Sequence, residues 1–120
     1  MIETLSGFPD NILAFVCHGQ VTKADYDTVI IPATEKALKT HEKIRLYYEI
    51  GKEFASMEPA AMWEDLKVGM GPLTHWERIA VVTDVDWIKY AVQAFRFLIP
   101  GKLRVFPTSD SEAARTWIIS

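Results

Sequence analysis

Two segments of this 120-residue chain are apolar on both sides of a strand, and few folds can hide such strands. In Ile12 to His18, the residues Leu13, Phe15 and Cys17 fall on one face and Ala14, Val16 and His18 on the other. In Glu77 to Thr83, the residues Ile79, Ala80, Val81 and Val82 run without interruption. A strand with one wet face alternates apolar and polar residues, so near-continuous apolar strands predict a sheet covered on both sides, as in layered α/β domains.

The remaining segments fit that frame. Ile2 to Leu5 reads as a first strand, separated from the second by the turn formers Gly7, Phe8, Pro9, Asp10 and Asn11, which predicts an opening hairpin. Thr22 with Asp25 forms a capping box for a helix to about Thr40, in which Pro32 predicts a kink or a restart after Ile31. Lys43 to Ile50 is a β-rich third strand, expected to stop at Gly51. From Phe54 to Leu73 the spacing predicts a short, soft helix, with Ser56 as a cap and Gly69, Gly71 and Pro72 breaking its end. Glu77 to Thr83 is the fourth strand, Asp84 or Asp86 caps the helix after it, and Pro100-Gly101 ends that helix. Lys102 to Phe106 is the fifth strand, and Ser109 with Glu112 predicts a capping box for a last helix. Strands alternating with helices imply a mostly parallel five-stranded mixed sheet, an antiparallel N-terminal strand and about four flanking helices.

The helix from Trp87 to Ile99 holds more apolar surface than one packing stripe requires. Only Lys89, Gln93 and Arg96 interrupt Trp87, Ile88, Tyr90, Ala91, Val92, Ala94, Phe95, Phe97, Leu98 and Ile99. Such a helix is covered twice, by the sheet on one side and by a ligand, a partner or a bilayer surface on the other. The soft segment before the fourth strand adds Phe54, Met57, Met62, Trp63, Leu66 and Met70, adaptable residues of the kind that line promiscuous apolar surfaces. Together with Trp87, Ile88, Ala91, Val92, Phe95 and Leu98 they form the candidate lining of a site for an apolar small molecule or lipid. Trp87, Lys89, Tyr90, Arg96 and Phe97 are the candidate membrane or partner surface, with Lys102 and Arg104 nearby to meet anionic headgroups. For each residue the competing assignment is plain core packing, and for the helix as a whole it is a homodimer seam.

Chemistry leaves little trace. The single Cys17 permits no internal disulfide and no Cys-x-x-Cys pair, and adjacent strand residues Cys17 and His18 point to opposite faces. His41 and His75 have no partner at metal-ligand spacing, so no metal site is expected, and without a Gly-rich phosphate loop no cofactor is expected either. Glu49 and Asp84 fall near the carboxyl ends of parallel strands, where open sheets place their ligands, but no nucleophile accompanies them. A net charge of -3 and a pI near 5.6 argue against nucleic acid. No apolar run approaches the roughly 20 residues of a spanning helix, and the N-terminus lacks signal-peptide character. A cytoplasmic single domain, peripheral at most to the inner face of the membrane, is the expectation.

Four stretches resemble one family: GFPDNILAF at 7 to 15, DYDTVIIPATEKAL at 25 to 38, KIRLYYEIG at 43 to 51, and WERIAVVTDVDWIKYAVQAFRFLIPGKLRVFP at 76 to 107. The chain is similar over its whole length to the SpoIIAA-like family, whose fold is shared by STAS domains and is related to that of CRAL-TRIO lipid-transfer proteins. The resemblance implies a non-enzymatic α/β domain with a hydrophobic cavity or groove under mobile helices and no fixed catalytic set. STAS anti-sigma-factor antagonists carry a phosphorylatable Ser, commonly beside an Asp, just after a central strand. Here Ser56 stands several residues past the expected strand end with no adjacent Asp. A phospho-switch is therefore not expected.

Overall fold

The computed structural model describes residues 1–57, 75–95 and 101–120. Its strands are β1 (Ile2–Thr4), β2 (Ile12–Val21), β3 (Ile44–Met57), β4 (Trp76–Val82) and β5 (Lys102–Phe106). They form one sheet in the order β1-β2-β3-β4-β5, with β1 antiparallel to β2 and every later pair parallel. Gly7, at φ 88°, takes the tight part of the hairpin turn, a conformation that costs a glycine little.

The pleat sorts the core into two layers. Phe15, Cys17, Leu46, Tyr48, Ile50, Ile79, Val81 and Leu103 are buried on one side of the sheet. On that side lie α1 (Ile31–Leu38), through Ala37, and α2 (Asp86–Phe95), through Ile88. Ile12, Ala14, Tyr47, Ala80, Val82 and Phe106 are buried on the other side, under Ala114 and Ile118 of α3 (Ser111–Ile119). Both faces of β2 over 12–17, of β3 over 44–50 and of β4 are thus covered, as their apolar runs require.

The segment before α1 shows how Pro32 is accommodated. Asp25 Oδ2 accepts from the Thr22 N–H at 2.9 Å, the expected capping contact, and opens a helical turn at Lys23–Asp25. The chain then widens into a π-helical stretch, Tyr26–Ile30, and α1 follows with the proline in its first turn. A proline there has no N–H to waste, and the wider turn absorbs the irregularity.

Two sequence expectations need correction. Gly51 does not stop the third strand: β3 continues to Met57 because β2 also continues, to Val21, and supplies the pairs Gly19↔Phe54, Gln20↔Ser56 and Val21↔Met57. Between Cys17↔Ile50 and Gly19↔Phe54, β2 advances by two residues and β3 by four, so Gly51 marks a bulge. The helix predicted from Phe54 therefore does not begin there, and Ser56 is a strand residue, not a helix cap; the rest of that expected helix, residues 58–73, lies outside the described residues. Second, α3 is not opened by a Ser109 capping box. A 3-10 turn, Thr108–Asp110, leads into it without a side-chain cap bond from Asp110. Asp84 serves this turn: its carboxylate accepts from the Thr108 N–H at 3.1 Å and from the Thr108 hydroxyl.

Two arginines fasten the far end of α3. Arg45 Nη1 donates to the Ile118 carbonyl at 2.8 Å while its Nε donates to Glu77 Oε1 at 2.6 Å. Arg78 Nη1 donates to the Trp117 carbonyl at 2.9 Å and to Ser120 Oγ at 2.8 Å. Helix C-terminal carbonyls lack intrahelical donors and carry partial negative charge, so guanidinium groups are apt partners.

At the start of β5, Gly101 sits where a side chain does not fit. A Cβ there would overlap the Trp76 carbonyl oxygen and lie 2.6 Å from the Glu77 carbonyl oxygen, both backbone atoms that cannot swing aside. Gly101→Ala is expected to cost about 2–3 kcal/mol and to lower Tm by about 10 °C in a thermal melt. A second expectation comes from the core itself. Burial pushes the Cys17 thiol up to about 12, with a Tyr48 hydrogen bond working against it, and burial with the Glu49 hydrogen bond pushes Tyr47 up to about 12. The unfolded chain loses these protons near their ordinary values of 9.0 and 10.0, while the folded chain keeps them. Their contribution to stability is full below pH 9 and is lost as pH rises toward 12. Denaturant melts from pH 8 to 12 should show this loss, and Tyr47→Phe should show less of it.

Candidate functional site

α2 is built so that one helix both closes the core and faces outward. The Thr83 hydroxyl oxygen accepts from the Val85 N–H at 3.1 Å, and the Lys89 N–H donates to the Val85 carbonyl at 3.1 Å, which starts the first turn at the end of β4. Val85, Ile88 and Val92 recur at helical spacing and pack into the α1 side of the core, with Ile88 only 1% exposed. Trp87 and Tyr90, one turn apart, face the other way and are 40% and 74% exposed. Lys89 Nζ lies 4.0 Å from Asp86 Oδ1, an i,i+3 pair on the helix surface.

The candidate ligand-lining residues are therefore divided. Ile88 and Val92 belong to the core, and Trp87 stands on the surface beside Tyr90. Phe54 and Met57 lie on β3, and Ala91 and Phe95 on α2. Met62, Trp63, Leu66, Met70, Arg96, Phe97 and Leu98 lie outside the described residues. Arg104 does not join the α2 surface. Its guanidinium stacks over the rings of Phe106 and Trp117, with centroid distances of 4.9 and 5.5 Å, on the α3 side of the sheet.

The polar candidates have structural work. Tyr47 donates its hydroxyl to Glu49 Oε1 at 2.7 Å, and Arg115 of α3 lies over the rings of Tyr47 and Phe8. Asp84 is engaged with Thr108 in the loop after β4, whereas Tyr47 and Glu49 lie within β3, which runs on to Met57. Cys17 is buried in the core, whereas His18 Nε2 meets Glu3 Oε2 at 3.1 Å, so the two neighbours do face apart. His75 Nδ1 lies 2.9 Å from the Glu42 carbonyl. Among the described residues, no three His, Cys, Asp or Glu side chains converge as metal ligands would, and no helix is long and apolar enough to cross a membrane.

The stacking of Arg104 escaped the sequence reading. The alternation Lys102, Leu103, Arg104, Val105 was the available signal, since period two puts the two cations on one face and the aliphatics on the other. The aromatic partner of Arg104, Trp117, lies on a helix whose docking depends on the whole fold.

The fold has a counterpart among solved structures. An uncharacterized protein of the DUF3478 family with a SpoIIAA-like fold, from Shewanella loihica PV-4, superposes with a TM-score of 0.69 at 25% identity, covering 98% of this chain and 92% of that one. No curated protein matches the chain. The SpoIIAA-like family model matches residues 12–119, nearly the whole length and every strand after the first. The chain belongs to the SpoIIAA-like family.

Proposed function

We propose that this protein is a non-catalytic binding domain in which the outer face of α2 engages an apolar, lipid-like ligand or the surface of a membrane. The observation that carries this reading is the exposure of Trp87 and Tyr90 on a helix whose other side is spent on the core. Both side chains pair a large apolar body with a polar tip, the character that suits a boundary between water and lipid. Lys89 on the same helix can reach an anionic headgroup by extending its stem. A non-catalytic role is supported by the commitments of Glu49 and Asp84, whose carboxylates accept hydrogen bonds from Tyr47 and Thr108.

Flotation with mixed phosphatidylcholine and phosphatidylglycerol vesicles tests the reading, together with solvent extraction and mass spectrometry of the natively purified protein. We expect vesicle association or a stoichiometric co-purified lipid. The Trp87→Ser/Tyr90→Ser variant should weaken vesicle association by about tenfold or more, corresponding to ~1.4 kcal/mol, while its circular dichroism stays that of the parent. Unchanged association in the folded variant, or an empty protein that ignores vesicles, would overturn it.

A further inference from the structure

β5 is an edge of the sheet: β4 lies on one side and, among the described residues, no strand lies on the other. Along a parallel strand, the main-chain polar groups of alternate residues point to alternate sides. The Phe106 carbonyl accepts from the Thr83 N–H at 2.9 Å, just past the end of β4. Phe106, and by alternation Arg104, therefore address β4, and the N–H and C=O of Leu103 and Val105 point out of the sheet. A hollow of about 230 Å³ lies against this stretch, lined by Gln93 of α2 and by Leu103, Arg104 and Val105.

The two faces of that edge differ in chemistry. Leu103 and Val105 belong to the apolar α2 side, while Arg104 is exposed on the α3 side and Lys102 is exposed at the head of the strand. Neither cation has a carboxylate partner among the described residues. A second copy of this chain is a poor occupant, because antiparallel pairing centred on the five-residue β5 sets Arg104 against Arg104. A strand with acidic side chains meets the charges, and the free main-chain groups supply the recognition common to strand addition.

We propose that the β5 edge beside Gln93 is a docking site for an extended acidic segment of a partner protein, which adds to the sheet as a further strand. The segment alternates apolar and acidic residues, with the apolar ones turned toward Leu103 and Val105 and the acidic ones toward Arg104. This site is separate from the Trp87–Tyr90 face and does not rest on its role.

A labelled, N-acetylated hexapeptide of alternating Val and Glu is the probe, followed by fluorescence anisotropy with the full chain. Saturable binding is expected, weakened about tenfold or more by Arg104→Glu, less by Arg104→Gln, and absent for the matching Val–Lys peptide. Two peptides N-methylated on alternate amides should differ, because only one set faces β5. Amide exchange supplies a readout specific to strand addition: the Leu103 and Val105 amides should slow on saturation while Arg104, already paired to β4, changes little. The proposal is overturned by an absence of saturable binding, by equal binding to the Arg104 variants, or by unchanged exchange at Leu103 and Val105. Protection of the same amides by phosphatidylglycerol vesicles in place of the peptide would assign the edge to lipid and would also overturn it.

Discussion

The structure depends on one strand being buried from both directions. β3 sends Leu46, Tyr48 and Ile50 into one layer of core and Arg45, Tyr47 and Glu49 toward the other, so neither layer forms without it. Its apolar side anchors α1 and α2, which close over the same surface. Its other side carries a buried tyrosine between two charged residues, an expensive arrangement unless every polar atom finds a partner. Arg45 reaches Glu77 and the Ile118 carbonyl, and Tyr47 reaches Glu49. The polar side of the central strand is thereby converted into the mounting for α3.

That mounting works at both ends of the helix. Arg45 and Arg78, from neighbouring strands, hold the carbonyls at its C-terminal end, while Asp84, from the loop after β4, accepts hydrogen bonds at the turn that opens it. Along its length Trp117 is flanked by the guanidinium groups of Arg78 and Arg104. Charge placed against helix ends and aromatic faces therefore positions α3 in addition to burial of Ala114 and Ile118. The chain's modest net charge conceals this, because four of its five arginines, Arg45, Arg78, Arg104 and Arg115, lie on this one layer.

Local signals were strong wherever neighbours in sequence settled the outcome. The turn cluster from Gly7 to Asn11 announced the hairpin, Thr22 with Asp25 announced the helix start, and the limits of β5 followed from the residues around it. The continuation of β3 past Gly51 was not legible, because it depends on Gln20 and Val21 of another strand being available to pair. The true partner of the turn that opens α3 was hidden for the same reason: Ser109 offered a local cap, and Asp84, from a distant loop, took the position. At the candidate site, the excess apolar surface of the 87–99 segment was visible in the sequence. How it divides was not, since periodicity makes Ile88 and Trp87 both apolar and only packing decides that the first is buried and the second exposed.

The order of the strands bears on where anything can bind. From β2 to β5 each new strand is laid beside the last in one direction, and the order never doubles back. Doubly wound sheets bind their ligands where the winding reverses, because two neighbouring loops there part toward opposite faces and leave a crevice. This winding creates no such point. Under both proposals made above, recognition falls instead at the margins of the sheet: the outward side of a covering helix and the last strand laid down.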